Sequence, residues 1–292
     1  MKVAYYPGCT LKTYALGLEE SCIAALSELG VELSELPRWN CCGTVYSLSS
    51  DNLIFQTAPF RNLLRVKEQK QDTFVTLCSM CYNTLRRANK LINEDKTKLE
   101  KLNLFTDTEA IQYQGDVKVL HILEFLRDVV GFSNIKEKVK KPLTGLKVAC
   151  YWGCLLTRPE NVGFDDVENP SSMEKLISIL GAEPVTFPFK MECCGSYETV
   201  ANPDAVAERT YRIVSSASRN GADIIITSCP LCEFNLDERQ KEARSLHGDL
   251  VQIPVLYITQ LLSIALGLGS EVCRFEKHLV DPKPVLQAKN LI

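Results

Sequence analysis

KVAYYPGCTL at Lys2–Leu11 returns as KVACYWGCLL at Lys147–Leu156. Three more segments repeat in the same order. WNCCG at Trp39–Gly43 matches MECCG at Met191–Gly195, and TLCSMC at Thr76–Cys81 matches TSCPLC at Thr227–Cys232. VLHILEFLRDVVG at Val119–Gly131 matches VLYITQLLSIALG at Val255–Gly267. Four segments repeated in one order are the mark of a duplicated domain. The lysine-rich NIKEKVKKPLTGLK at Asn134–Lys147, broken by Pro142 and Gly145, marks the junction, with domains at 1–140 and 141–292.

The gaps inside each copy indicate the architecture. Between Cys9 and Cys41 lie 31 residues, and between Cys42 and Cys78 lie 35; the second copy has 38 and 34. Each gap is about one strand–helix–strand unit of roughly thirty residues. KVAYY is a strand candidate, and ALGLEESCIAALSELG a helix stopped by Gly30. VELSEL is a second strand running into the Cys-Cys-Gly turn. DNLIFQTAPFRNLLRVKEQKQ is mostly helical, interrupted near Pro59, and TFVTL is a third strand ending at Cys78. The second copy offers KVACY, SSMEKLISILG, EPVTF, DAVAERTYRIVSSASRNG and ADIIIT in the same succession. The fold class is therefore α/β, two pseudo-symmetric halves, each a small, mostly parallel sheet flanked by helices. Every cysteine motif falls at a strand's carboxyl end, the edge where such sheets bind ligands.

Composition narrows the function. The chain has 292 residues, 46% hydrophobic and 24% charged, with a net charge of −3. That balance gives no reason to expect nucleic acid or an anionic membrane surface as partner. MKVAYYPGCT lacks the apolar run of a signal peptide. ITQLLSIALGLG falls short of the roughly twenty residues a membrane span needs. A cytoplasmic protein is the expectation. Thirteen cysteines there point to metal or redox chemistry rather than structural disulfides.

Ten of the thirteen fall into motifs: Cys9, Cys41, Cys42, Cys78 and Cys81, then Cys154, Cys193, Cys194, Cys229 and Cys232. Adjacent cysteines have Cα atoms about 3.8 Å apart, which strains a disulfide and seldom suits one zinc ion. Four thiolates suffice for zinc or an ordinary cubane cluster. Five fit a cluster in which neighbouring thiolates take different irons. Two zinc sites with a spare thiol each remain an alternative, as does thiol–disulfide exchange at Cys78–Cys81 and Cys229–Cys232. Exchange leaves the Cys-Cys pairs unexplained.

The order Cys, Cys-Cys-Gly, Cys-x-x-Cys resembles the CCG domain family, and the tandem pair resembles the CCG-bearing subunit of heterodisulfide reductases from methanogenic archaea. The likeness covers essentially the whole chain and includes all ten cysteines. It implies two non-cubane 4Fe–4S clusters facing each other across the substrate. It further implies reduction of the mixed disulfide of coenzyme M and coenzyme B to two thiols, each cluster delivering one electron and binding one substrate sulfur. The chain shows no dinucleotide or P-loop fingerprint, so electrons must come from another protein. The resemblance suggests a ferredoxin-like iron–sulfur subunit and a flavin-containing subunit as partners. Other readings are an electron-transfer CCG subunit of a lactate- or glycolate-type oxidoreductase, and a zinc-binding scaffold.

The remaining candidates are weighed singly. Arg38 and Lys190 each stand three residues before a Cys-Cys pair, where a cation could grip an anionic substrate or simply be a solvated loop charge. His121 could donate a proton to a departing thiolate. On a helix with Leu120, Leu123 and Leu126 it reads better as a packing residue. Cys22 shares an apolar helix side with Leu18, Leu26 and Leu29 and reads as core. Cys150 reads as a buried strand residue. Cys273, His247 and His278 carry no motif.

Overall fold

The computed structural model describes residues 1–44, 52–109 and 111–292. The first half runs β1 (Lys2–Tyr6), α1 (Leu16–Glu28), β2 (Glu32–Glu35), α2 (Thr57–Glu68), β3 (Thr73–Thr76), α3 (Ser79–Glu94), α4 (Lys96–Phe105) and β4 (Lys118–His121). Then come α5 (Ile122–Phe125), a π turn (Leu126–Gly131) and α6 (Phe132–Lys138). The second half repeats the plan with β5 (Lys147–Cys150), α7 (Ser172–Ile179), β6 (Glu183–Val185), α8 (Pro203–Arg219), β7 (Ile224–Thr227), α9 (Pro230–Glu238) and α10 (Gln240–Leu246). β8 (Val255–Tyr257), α11 (Ile258–Ala265) and, after two short 3-10 turns, α12 (Lys283–Ala288) complete it.

Each half carries a four-stranded, wholly parallel sheet, ordered β2-β1-β3-β4 and β6-β5-β7-β8. Helices cover both faces, and the central strands read as unbroken apolar runs such as Ile224–Ile226, all fully buried. In such an order the chain turns opposite ways from β1 and β3, opening a crevice beyond their carboxyl ends. Cys9 follows β1 and Cys78 follows β3, so the thiols fall at that crevice. Cys154 and Cys229 repeat this after β5 and β7.

The fourth strand of each sheet departs from the sequence expectation. Val119–His121 and Val255–Tyr257 belong to apolar stretches that read as helical, with His121 on the helix. His121 instead ends β4 and caps α5, its Nδ1 accepting from the Leu123 amide (3.3 Å). Strands of three or four residues, buried almost throughout, are too short to show an alternation of period two. The helical stretch beginning at Asp51 also differs. Asp51 lies outside the described residues, and the change from a 3-10 turn to α2 falls at Gln56–Thr57. Pro59 sits in the first turn of α2, where its missing N–H removes no intrahelical bond.

Cys22 and Cys150 are buried as expected, and Cys273 is fully buried too, its thiol directed at the Gln260 carbonyl (3.7 Å). The halves pack as one body. α1 lies against α11, where Ser21 Oγ pairs with Thr259 Oγ1 (2.7 Å) and Ser263 Oγ donates to the Ser21 carbonyl (2.8 Å). No helix among the described residues is long and apolar enough to cross a membrane.

Candidate metal centre

Each thiol pocket is assembled from three strand ends by the same local devices. Gly8 (φ +74°) and Gly153 (φ +65°) precede the single cysteine. A Cβ on Gly8 would stand 3.0 Å from Cys81 Sγ, and one on Gly153 3.4 Å from Cys232 Sγ. Only glycine gives both the left-handed turn and the close approach. Tyr6 and Tyr151 point from β1 and the end of β5 to the Cys-Cys loops. Tyr6 Oη donates to the Asn40 carbonyl (2.9 Å) and Tyr151 Oη to the Glu192 carbonyl (2.5 Å), in each case the residue before the pair. Gly43 and Gly195, both at positive φ, then turn the chain away. Cys78 and Cys229 are the N-cap residues of α3 and α9, so Cys81 and Cys232 follow within the first turn.

All ten motif cysteines are brought together as two sets of five. In the first set, hydrogen-bond contacts run from Cys9 to Cys41, Cys41 to Cys42, Cys42 to Cys81 and Cys81 to Cys78. In the second, Cys154 meets Cys193, Cys194 Sγ lies 3.4 Å from Cys232 Sγ, and Cys232 meets Cys229. The two sets touch: the thiols of Cys78 and Cys229 are in hydrogen-bond contact. Ser79 Oγ donates to the Ser228 carbonyl beside that contact (3.2 Å). Cys78 and Cys229 are buried, whereas Cys9 and Cys41 are exposed and Cys154 and Cys193 half-buried. Both pockets therefore open outward and close against each other.

The donor chemistry fits a polynuclear cation. Thiols this close cannot all ionise, because each thiolate raises its neighbour. Donating a hydrogen bond to a neighbouring thiolate pushes Cys9, Cys78, Cys81, Cys154 and Cys232 up. Accepting those hydrogen bonds pulls Cys42 and Cys229 down and Cys193 down to about 6. Metal charge among the sulfurs reverses that logic and allows every thiol to deprotonate. Five soft donors per pocket, shielded at the inner end, suit iron–sulfur ligation.

Other candidates fall outside this set. Arg38 pairs with Glu68 (2.9 Å) and Lys190 with Glu174 (3.3 Å) and the Pro170 carbonyl (3.0 Å). Both charges are thus engaged within their own halves. His121 is fully buried, and burial drives its pKa down to about 4. With Nδ1 accepting from Leu123, its Nε2–H faces the Leu77 carbonyl (3.2 Å), so it braces the Cys78 loop as a neutral ring.

A second convergence, unread in the sequence, lies behind Cys232. Glu233, Asp237 and His278 place ligand atoms within 4.8 Å of one another. Gln260 decides what they do. Its Oε1 accepts from the Tyr257 amide (2.7 Å) and its Nε2 donates to the Cys273 carbonyl (2.5 Å), fixing the amide's orientation. The same Nε2 lies 2.8 Å from His278 Nε2, which must accept. The proton is then on Nδ1, 3.2 Å from Glu233 Oε1, leaving no lone pair there for a metal. Burial lowers the His278 pKa, but the Glu233 carboxylate outweighs it and the net shift is upward. The group is a hydrogen-bonded tie from the C-terminal segment to α9.

This architecture defines a tandem cysteine-rich protein with one thiol pocket per half. Residues 3–86 and 148–237 each match the CCG cysteine-rich domain, and the chain belongs to that family. It is 33% identical to the 8-methylmenaquinol:fumarate reductase membrane anchor subunit of Wolinella succinogenes, over 95% of this chain and 96% of that one. It is 29% identical to a subunit of the ferredoxin:CoB-CoM heterodisulfide reductase of Methanosarcina mazei, over 96% and 94% of the two chains. A solved hypothetical protein from Helicobacter pylori shares the fold at a TM-score of 0.76 and 13% identity, over 95% of this chain and 51% of that one. Further relatives are described as iron–sulfur proteins. The chain is thus similar to subunits of redox enzyme complexes and carries an iron–sulfur type of donor set.

Proposed function

We propose that this chain is the disulfide-reducing subunit of a heterodisulfide reductase-type complex. Cys9, Cys41, Cys42, Cys78 and Cys81 hold one non-cubane 4Fe–4S cluster, and Cys154, Cys193, Cys194, Cys229 and Cys232 hold another. The observation that carries this reading is the meeting of the two sets at Cys78 and Cys229. A disulfide has two sulfurs, and its cleavage to two thiols consumes two electrons and two protons. Iron–sulfur centres, when bound, supply electrons singly, so paired pockets match the stoichiometry. The chain's own residues orient and shield. Tyr6 and Tyr151 fix the Cys-Cys loops, Ser79 ties the two inner strand ends together, and burial of Cys78 and Cys229 keeps water from the meeting point. Electrons come from partner subunits, a ferredoxin-like iron–sulfur protein fed by a flavin protein.

The test is anaerobic assay of the purified protein with reduced viologen and the coenzyme M–coenzyme B disulfide. Disulfide-dependent viologen oxidation, yielding two thiols per two electrons, is the expected result. A protein that retains its iron and oxidises no viologen with the disulfide rules the reading out. The 33% identity to the fumarate reductase subunit favours a second reading. There the same pockets pass electrons within a quinol:fumarate reductase-type complex, and fumarate-dependent oxidation in the assembled complex identifies it.

A further inference from the structure

The meeting point of Cys78 and Cys229 is held from behind by His121. This residue ends β4, in register with Thr76 on β3. Its Nδ1 is taken by the Leu123 amide (3.3 Å), so Nε2 carries the proton and donates. Two acceptors share that proton: the Leu77 carbonyl in the first half (3.2 Å) and Ser228 Oγ in the second (3.1 Å). Leu77 and Ser228 directly precede Cys78 and Cys229. A planar peptide fixes successive Cα atoms about 3.8 Å apart, so a shift of either residue carries its cysteine along.

The ring itself has little freedom. It is fully buried, edge-on to Tyr82 of the first half (centroids 5.7 Å apart) and stacked on Phe164 of the second (5.9 Å). First-half Arg127 clamps Phe164 in turn, with its guanidinium 5.3 Å from the ring centre and Nη1 donating to the Phe164 carbonyl (3.1 Å). The duplicated position does not repeat the crossing. Tyr257, the counterpart of His121 beside Thr227, sends its hydroxyl to Glu233 in its own half (2.8 Å). Leu77, the counterpart of Ser228, offers no polar side chain to receive a bond. Ser79 Oγ also crosses, and it too lands on Ser228, at the carbonyl (3.2 Å).

We propose that His121 is a positioning residue for the paired pockets: by bonding Leu77 and Ser228 together it sets the separation of the two clusters. It acts through Cys78 and Cys229 and exchanges no proton in doing so. The kinetic consequence rests on the disulfide reading; the spacing rests only on both pockets being occupied.

Three variants of the anaerobically purified, iron-loaded protein test this. His121→Phe keeps a ring and removes the donor, His121→Gln restores an N–H, and Ser228→Ala removes only the second-half acceptor. Iron and sulfide content verify that both pockets load. The first readout is the magnetic interaction between the clusters of the reduced protein, measured by EPR, which depends steeply on their separation. His121→Phe should shift the interaction splitting, Ser228→Ala should shift it less, and His121→Gln should return it toward the wild type. The second readout is turnover with reduced viologen and the disulfide. There kcat should fall about tenfold in His121→Phe while KM stays within about twofold, as for lost alignment rather than lost binding. Full iron with an unchanged splitting in His121→Phe, or in Ser228→Ala where His121→Phe does not load, overturns the proposal. A wild type whose clusters show no interaction overturns it as well. A shifted splitting in a protein that turns over no disulfide refutes the disulfide reading and leaves the spacing role standing.

Discussion

The first and second halves build the same pocket and brace it differently. Glycine before the single cysteine, tyrosine to the Cys-Cys loop and a cysteine N-cap recur in both, residue for residue. At the end of the fourth strand they part. His121 is a neutral ring whose Nε2 lies against the Leu77 carbonyl (3.2 Å) and Ser228 Oγ (3.1 Å), so it joins the halves. Its counterpart Tyr257 donates to Glu233 (2.8 Å), which is held in turn by His278. The first pocket instead leans on an ion cluster in its own half, where buried Arg65 bonds Glu109 and Glu68 and holds Glu109 down to about 2. What shapes the thiol pocket was duplicated unchanged, while what merely supports it diverged.

That comparison breaks most visibly at the thiols. Cys78→Ser and Cys229→Ser should each cost about half the iron, roughly four atoms per chain, and abolish disulfide reduction in both cases. Loss of iron from both pockets in either variant would mean the two sets do not load separately. Next comes the second half's tie. His278→Leu leaves buried Glu233 without the Nδ1–H it faces, which should cost about 1–3 kcal/mol in denaturant unfolding. Tyr257 and α9 should loosen while the first pocket keeps its iron.

Glycine substitutions probe the contrast on a smaller scale. Gly8→Ala and Gly153→Ala both force a left-handed alanine, costing about 1–2 kcal/mol. Gly8→Ala also crowds Cys81 at 3.0 Å, against 3.4 Å at Cys232, so iron loss should be greater in the first half. The smallest effect is on pH dependence. Burial raises Asp237 from 3.8 to about 7, so the folded chain holds a proton that the unfolded chain has released. Stability should therefore fall as pH rises through that interval. Asp237→Asn should flatten the slope between pH 4 and 7 in thermal unfolding, and an unchanged slope would show that Asp237 plays no part in it.

The duplication, the six outer-to-central strands and the convergence of ten cysteines were readable because repeated motifs sit at predictable strand ends. β4 and β8 were hidden because VLH and VLY are short, apolar and continuous with a helix. Gly8, Gly153, Tyr6 and Tyr151 stood inside the quoted repeats, but their task depends on atoms thirty or more residues away. Arg38 and Lys190 match in position, and each pairs with a carboxylate of its own half, Glu68 and Glu174, that no motif announces. Glu233 and His278 meet across forty-five residues with no shared motif.

Whether each half holds its own cluster is decided by counting iron and acid-labile sulfide per chain, in the anaerobic wild type and in a variant lacking the five second-half thiols. Two independent pockets predict roughly eight irons with matching sulfide in the first and roughly four in the second. Colourless protein with zinc and no sulfide, or a variant that retains all its iron, would contradict them.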